Sequence, residues 1–363
     1  MLTTEKLAEP LSLAHGPAMK NRFMLAPLTN TQSHADGRLS DDEFRWLTMR
    51  AEGGFGLTMT CAAHVQAGGQ GFPGQLGVWD DRHLEGLTRL AAAIKAQDSV
   101  SSLQLHHAGI RSPKDIVGDV VGASDDKDTG GRALKTAEVE KLRDDFIAAA
   151  KRAEKAGFDG VEVHGAHGYI LAQFLSPEVN RRNDIYGGSL ENRARLIFEI
   201  VNGIRAACHP DFQIGIRLSP ERFGLKLAEV RDVAAELLSA AKIDFLDMSL
   251  WDVKKEPVEE EFHGRSLMSV FTDLARGNVR LGAAGKIMSA EDAAWVIGAG
   301  CDFAIVGRAA ILRHDFPRRA LADAAYVSPS LPVTEQHLRD EGLGSAFVAY
   351  MKGWKGFVAE EAA

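Results

Sequence analysis

The chain has 363 residues, with 42 Lys and Arg against 50 Asp and Glu, a formal net charge of −8 and 45% apolar side chains. That acidic balance argues against a nucleic-acid surface or a polybasic membrane anchor, and the composition is that of a soluble globular protein with ample length for a large core. No apolar run approaches the ~18 residues of a spanning helix, and Glu5, Lys6 and Glu9 interrupt the stretch where a signal peptide would need its apolar centre. Cys61, Cys208 and Cys301 are scattered and form no C-x-x-C pair. A disulfide framework, a zinc knuckle and an iron–sulfur cluster are therefore not expected, and a reduced, cytoplasmic setting is.

In chain order, short apolar runs at 23–28, 57–65, 100–108, 160–166, 213–219, 244–250, 279–284 and 301–307 read as strands. Helical spacing lies between them, as at 81–97, 142–157 and 191–207. In the last, Leu196, Ile197, Ile200, Val201 and Ile204 mark one buried face. Gly157 and Gly300 follow amphipathic runs, as C-terminal caps do. Strands that are nearly all apolar and alternate with helices imply a parallel sheet covered on both sides. Eight such units predict a closed (β/α)8 TIM barrel, with an open doubly wound sheet as the structural alternative. At roughly 150 residues per domain the length alone would suggest two domains. No linker or low-complexity tract divides the chain, so one domain over 1–363 is expected. Segment 110–135 is polar, glycine-bearing and without period, and reads as a long loop or lid after the third strand.

A closed barrel places its chemistry at the C-terminal ends of its strands. Three groups stand out there. In HGAHGY, 164–169, alternation puts His164 on the side of Glu162, and His167 falls in the turn that ends the strand. Two imidazoles and the Tyr169 phenol can then converge. Such a pair binds a metal, donates hydrogen bonds to an oxygen, or is merely satisfied by backbone carbonyls in the turn; no third metal ligand is obvious nearby. The second group is Gly282–Gly285 after the seventh run with Gly307 and Arg308 after the eighth, which together suit the phosphate site that barrels build there. The third is Gln104 and Arg217, lone polar residues on apolar strands. A buried arginine needs a carboxylate, a phosphate or an electron-rich heterocycle, and a structural ion pair is the plainer alternative.

Two apparent motifs fail. Residues 69–74 fit G-x-G-x-x-G, but Pro73 and the non-helical stretch after it deny the helix of a dinucleotide fold. GAAGK at 282–286 lacks the glycine spacing and the Ser/Thr of a Walker A loop.

The run HGAHGYILAQFLSPEVNRRNDIYGGSLENRARLIFEI at 164–200 resembles the flavin-dependent ene-reductases of the Old Yellow Enzyme family. NRFMLAPLTN (21–30), LQLHHAGIR (103–111), GIRLSP (215–220) and IVGRAAI (305–311) support the resemblance in the family's order, from about residue 10 to 325. It implies a barrel holding FMN tightly but non-covalently, reduced by NADPH or NADH, that reduces activated C=C bonds of small-molecule enones and enals. By position, Ala26, Pro27 and Thr29 resemble the residues lining the flavin, Ala62 the small residue at its edge, and Gln104 the amide at its pyrimidine end. Arg217 is similar to the arginine at the N1–O2 region, and Gly307 and Arg308 to the phosphate pair, with Gly285 a looser match. His164 and His167 resemble the pair that holds a substrate carbonyl oxygen, Tyr169 the proton donor, and His106 a pocket-shaping position.

There are departures. Thr29 stands where some members have cysteine, and Thr31 where some have a substrate-contacting tyrosine. The C-terminal stretch 345–363 matches no intersubunit arginine arrangement, so a homo-oligomer is compatible with the resemblance but no residue for it carries over. The length and the scattered cysteines are those of single-flavin members rather than of larger, multi-domain relatives. No metal, nucleic acid or membrane partner is expected.

Overall fold

The computed structural model describes residues 4–360. Eight parallel strands close a barrel: β1 Phe23–Leu25, β2 Leu57–His64, β3 Val100–His106, β4 Gly160–Gly165, β5 Gln213–Leu218, β6 Phe245–Ser249, β7 Arg280–Ala284 and β8 Phe303–Val306. Each pairs with its sequence neighbours, and β8 returns to β1 through Phe23 opposite Ala304. The architecture is the (β/α)8 barrel expected from the eight apolar runs, and each run holds its strand.

Helices cover the outside because one face of each is apolar. In α1, Asp41–Glu52, the Ser40 hydroxyl accepts the Glu43 N–H at 3.1 Å, and three acidic residues fill the first turn. The helix predicted over 142–157 begins earlier, so α2 is Thr136–Lys155. Glu138 accepts the backbone N–H of Lys135 at 2.7 Å and starts the helix within a polar segment that apolar periodicity does not register. The helix expected over 191–207 is α3, Leu190–Ala207, and it buries Leu196, Ile197, Ile200, Val201 and Ile204. Gly157 and Gly300 lie at positive φ just past their helices, as C-terminal caps. No described helix is long and apolar enough to cross a membrane.

The inside of the barrel is a separate packed core. Phe245 and Phe303 meet edge to face at 5.9 Å, joined by Met24, Met59 and Ile305. Gly282 makes room for this: a Cβ there would sit 2.3 Å from the Phe303 ring. An N-terminal hairpin bridged between Leu11 and Met19 packs into the same core, and His15 Nδ1 lies 2.8 Å from Asp244 Oδ1 at the foot of β6. The opposite end, where the strands finish, is left for chemistry.

Segment 110–135 is not wholly irregular. It carries a short helix, Lys114–Val117, and a two-stranded parallel pairing of Val121–Gly122 with Arg132–Ala133. Arg132 fastens it through Asp119 and Glu138.

Candidate active site

A cavity opens at the C-terminal ends of the strands. Pro27 and Thr29 follow β1, and Ala62 sits on β2 with Phe72 in the loop beyond it. Gln104 comes from β3, His164 from β4 and Arg217 from β5, and His167 and Tyr169 come from the turn after β4. Backbone devices place these side chains. The register of β2 against β3 slips between Met59 and Ala62. This bulge brings Ala62 to the cavity, while Cys61 turns away and its thiol meets Glu43 Oε1 at 2.8 Å. His164 lies opposite Arg217 in the ladder, so both reach the same level of the barrel.

The turn after β4 is tight. His167 and Gly168 have φ of 60° and 70°, and Ser219 Oγ accepts the His167 N–H at 2.9 Å. Arg111 Nη1 donates to the His167 carbonyl at 2.6 Å, and its guanidinium lies 4.9 Å from the Tyr169 ring centre. The rings of His164 and His167 stand 5.0 Å apart edge to face, and Tyr169 is 5.3 Å from His164. Three aromatic heterocycle and phenol rings thus form one wall.

Electrostatics keep that wall neutral. Burial pushes His164 well below its ordinary pKa, helped by neighbouring His167, and pushes His167 down to about 3 with Arg217 adding to the effect. Burial raises the Tyr169 phenol against the opposing charge of Arg111, so it holds its proton at neutral pH.

The rest of the wall has polar capacity to spare. Among the described residues Thr29 Oγ1 makes no hydrogen bond, Gln104 spends only its Nε2 on Glu162, and Arg217 has one long contact to Ser249 Oγ at 3.4 Å beside its Asp247 pairing. A hydroxyl, an amide oxygen and a guanidinium edge stand between apolar surfaces from Pro27, Ala62, Ile311 and Met351. That donor and acceptor set suits the polar edge of a flat heterocycle held between apolar faces, so the residues fit a flavin. At the ends of β7 and β8, Gly285 passes so close to Asp252 that a Cβ would lie 2.7 Å from its nitrogen. Gly307 precedes α4, Arg308–Leu312, and Arg308 makes no ion pair or hydrogen bond among the described residues. A small-residue turn and an unspent guanidinium suit a phosphate. Among the described residues no group of three or more His, Cys, Asp or Glu is arranged to hold a metal.

Other expected residues lie off the cavity wall. Ala26 is buried in the inner core beneath it. His106 is fully buried behind the wall: its ring stacks on His164 at 5.5 Å and meets Tyr169 edge to face at 4.4 Å. The resemblance makes His106 a pocket-shaping position, but it ends β3, where the Tyr169 ring packs against it. Thr31, at φ 56°, turns its hydroxyl to the carbonyls of Asn30 and Ala346. No residue of 110–135 lines the cavity, and Arg111 is the part that touches the Tyr169 turn.

Sequence reasoning missed one wall. Helix α5, Ser345–Lys352, packs Phe347 on Trp46 at 5.4 Å, and Gln32 accepts the Gly344 N–H at 2.7 Å. This brings Tyr350, Met351 and Trp354 to the cavity. The aromatic pair four residues apart in AYMKGW was the available signal, but nothing local ties it to residues 300 positions earlier. Asp247 and Ser249 on β6 were also missed. Asp247 is as anomalous on an apolar strand as Arg217 and could have been found by the same criterion.

The NADH:flavin oxidoreductase / NADH oxidase family model matches residues 6–325. The chain is 38% identical over 314 residues to the probable NADH-dependent flavin oxidoreductase YqiG of Bacillus subtilis, covering 83% of this chain and 84% of that one. It is 33% identical over 323 residues to an NADPH dehydrogenase of Bacillus pumilus, covering 87% and 94%. Among solved structures, an old yellow enzyme homologue from Zymomonas mobilis superposes with a TM-score of 0.79 at 25% identity, covering 95% of this chain and 99% of that one. A 2-naphthoyl-CoA reductase solved with 2-naphthoyl-CoA gives 0.80 at 27% identity over 88% of this chain, which spans only 52% of that larger protein. With the barrel and its flavin-compatible cavity, these matches show that the chain belongs to the NADH:flavin oxidoreductase / NADH oxidase family, the Old Yellow Enzyme family of FMN-dependent oxidoreductases that take hydride from NAD(P)H.

Proposed function

We propose that this chain reduces the C=C bond of activated alkenes, α,β-unsaturated ketones and aldehydes, in two alternating half-reactions at one site. The observation that carries this is the convergence of His164, His167 and Tyr169 in one cavity with the unspent polar groups of Gln104 and Arg217. FMN when bound supplies a hydride carrier between the nicotinamide and the alkene. Pro27, Thr29, Ala62, Gln104 and Arg217 hold its ring, Ala26 supports them from below, and Gly285, Gly307 and Arg308 hold its phosphate.

The protein's own contribution is polar. As the alkene is reduced, negative charge grows on its carbonyl oxygen. His164 and His167, as neutral N–H donors, favour that charge more than the ground state, which is the condition for lowering the barrier. Tyr169 keeps its proton until a carbanion forms beside it and then delivers it to the carbon next to the carbonyl. His106 and Thr31 stand outside the wall and act on substrate fit through Tyr169 and through α5 respectively.

The test begins with purified protein. Heat should release about one FMN per chain, and a dye-free sample bleached anaerobically by NADPH or NADH should regain its absorbance on adding 2-cyclohexenone. Release of FAD or of no flavin, or a bleached sample that no enone or enal restores, would overturn the reading. Arg308→Ala should weaken FMN binding about tenfold or more, since a charge-assisted phosphate contact is worth ~1.5–3 kcal/mol; a parent-like FMN dissociation constant would remove Arg308 from the phosphate site.

A further inference from the structure

Below the cavity the barrel interior holds charge that the mechanism above does not use. Glu162 on β4 and Asp247 on β6 are both 0% exposed, and Arg217 on β5 lies between them. Gln104 Nε2 donates to Glu162 Oε1 at 2.7 Å, and Arg217 Nε lies 3.1 Å from Asp247 Oδ2. Among the described residues Glu162 Oε2, both Asp247 oxygens and Arg217 Nε make no hydrogen bond, so Arg217 and Asp247 form an ion pair without hydrogen-bond alignment. The two carboxyls stand on the strands either side of β5, close enough to act on each other. Two carboxylates this close and out of water cannot both stay ionised. One proton between them satisfies both oxygens.

We propose that Glu162 carries a proton that it donates to Asp247, and that this buried acid–carboxylate pair is the positioning element that aims the Gln104 amide and the Arg217 guanidinium at the cofactor. The order of contacts is then defined. Gln104 Nε2 donates to the carbonyl oxygen of the Glu162 acid, the acid donates to Asp247, and Arg217 Nε faces Asp247 Oδ2 as an ion pair at 3.1 Å. The cluster of one neutral acid, one carboxylate and one guanidinium has no net charge. Burial holds the Glu162 carboxyl well above the usual range and the nearby Asp247 charge holds it higher; Asp247 is raised by burial too, but Arg217 opposes the rise. The charged groups acting on the pair are each other and Arg217. His164 and His167, on the cavity side, are neutral, and the remaining strands face inward with Met24, Met59, Ala284 and Ile305.

The consequence lies at the cavity. With Nε2 committed downward, the Gln104 amide cannot flip, and its oxygen is left to accept. With Nε turned to Asp247 in that ion pair, the guanidinium presents its terminal nitrogens. The assignment rests on the proposed placement of the flavin against Gln104 and Arg217, so the two are tested separately.

Infrared spectra of apoprotein and holoenzyme at pH 7.5 should show a carboxylic-acid C=O band that shifts in D2O and is lost in Glu162→Gln. Taking the difference against that variant removes the signal of other buried carboxyls such as Glu43. Asp247→Asn should also remove the band, because Glu162 must then ionise to balance Arg217. Glu162→Gln can accept from Gln104 and donate to Asp247, so its FMN dissociation constant should stay within about threefold of the parent, whereas Glu162→Ala should weaken FMN about tenfold or more. Absence of the band from the parent, or Glu162→Gln losing FMN as severely as Glu162→Ala, overturns the shared proton. Equal FMN affinity in Glu162→Ala and the parent overturns the positioning role. Gln104→Ala and Arg217→Ala decide the underlying placement: if both bind FMN as tightly as the parent, the flavin is not held there, whatever the infrared band shows.

Discussion

Ser249 Oγ and His167 Nε2 lie 2.7 Å apart, joining the end of β6 to the turn after β4. The same hydroxyl stands 3.4 Å from Arg217 Nη2. A guanidinium only donates, so Ser249 accepts from Arg217, and its second lone pair and its proton both suit a bond to His167 Nε2. That bond occupies Nε2 and leaves Nδ1 as the ring nitrogen with no partner among the described residues. A hydroxyl that sequence reasoning did not single out thus anchors the His167 ring.

Ser249→Ala should loosen the anchored His167 ring without removing the imidazole. Phenols should bind this site as phenolates, mimicking the charged oxygen and giving a long-wavelength charge-transfer band with oxidised flavin. Titration of that band should show phenol affinity about tenfold weaker in Ser249→Ala, the worth of one hydrogen bond of ~1.4 kcal/mol, with the flavin still bound. The double variant of His164 and His167 to Ala should abolish the band. Parent-like phenol affinity in Ser249→Ala would show that the histidine needs no such restraint.

Stability should fall with acid. His64, His83, His106, His107, His164 and His167 are all pushed down by burial, His107 and His167 to about 3. Between about pH 6.5 and 4 each stays neutral when folded but takes a proton when unfolded, so the unfolded state gains protons and stability drops as pH falls. Glu43, Glu162 and Asp247, raised by burial, work in the opposite direction, since they keep protons in the fold that they lose on unfolding. Six groups oppose three. A fully buried histidine contributes up to ~1.4 kcal/mol per pH unit in that window. Urea denaturation should therefore give a lower midpoint at pH 5 than at pH 7, and an equal or higher midpoint at pH 5 would mean that the carboxyls dominate.

The barrel was legible because parallel strands buried on both faces are apolar throughout; the run at 244–250 brackets β6, Phe245–Ser249, within a residue or so at each end. Helix α2 was legible only in part, because its start is a polar capping box. At the site, Gln104 and Arg217 stood out as polar residues on apolar strands, but their partners did not. Glu162 and Asp247 stand on either side of β5, and the spacing of 85 residues between them encodes no such proximity. The C-terminal wall was invisible for the same reason: Tyr350 reaches Tyr169 only because Gln32 and Trp46 anchor α5 beside β1.

Position relative to the wall also changes what His106 should do. Its ring does not line the cavity and backs both His164 and Tyr169. His106→Ala removes that backing and opens a void in a fully buried place, which should cost about 2–4 kcal/mol in stability. Gln75, which bonds His106 Nδ1 at 3.0 Å, still donates to the Ala62 carbonyl at 2.9 Å and accepts the Gly71 N–H at 2.6 Å. Bulky β-substituted enones should gain relative to small ones as Tyr169 settles into the void, and His106→Phe should restore the parent ranking. A ranking unchanged in His106→Ala would show that the turn after β4 holds Tyr169 without it.

Tyr169 itself allows the sharpest separation. Its phenol is held protonated by burial and leans on the Arg111 guanidinium, which would steady a phenolate left behind after proton transfer. General-acid help of this kind contributes typically ~10²–10⁴-fold. Tyr169→Phe should slow reoxidation of reduced enzyme by an enone on about that scale while keeping the ring packing. Reduction by NADPH or NADH delivers hydride with no proton from the wall, so it should change little. Rapid mixing measures the two half-reactions independently. Equal slowing of both would make Tyr169 a shaping residue only, and an unaffected reoxidation would assign the proton to water or to another group.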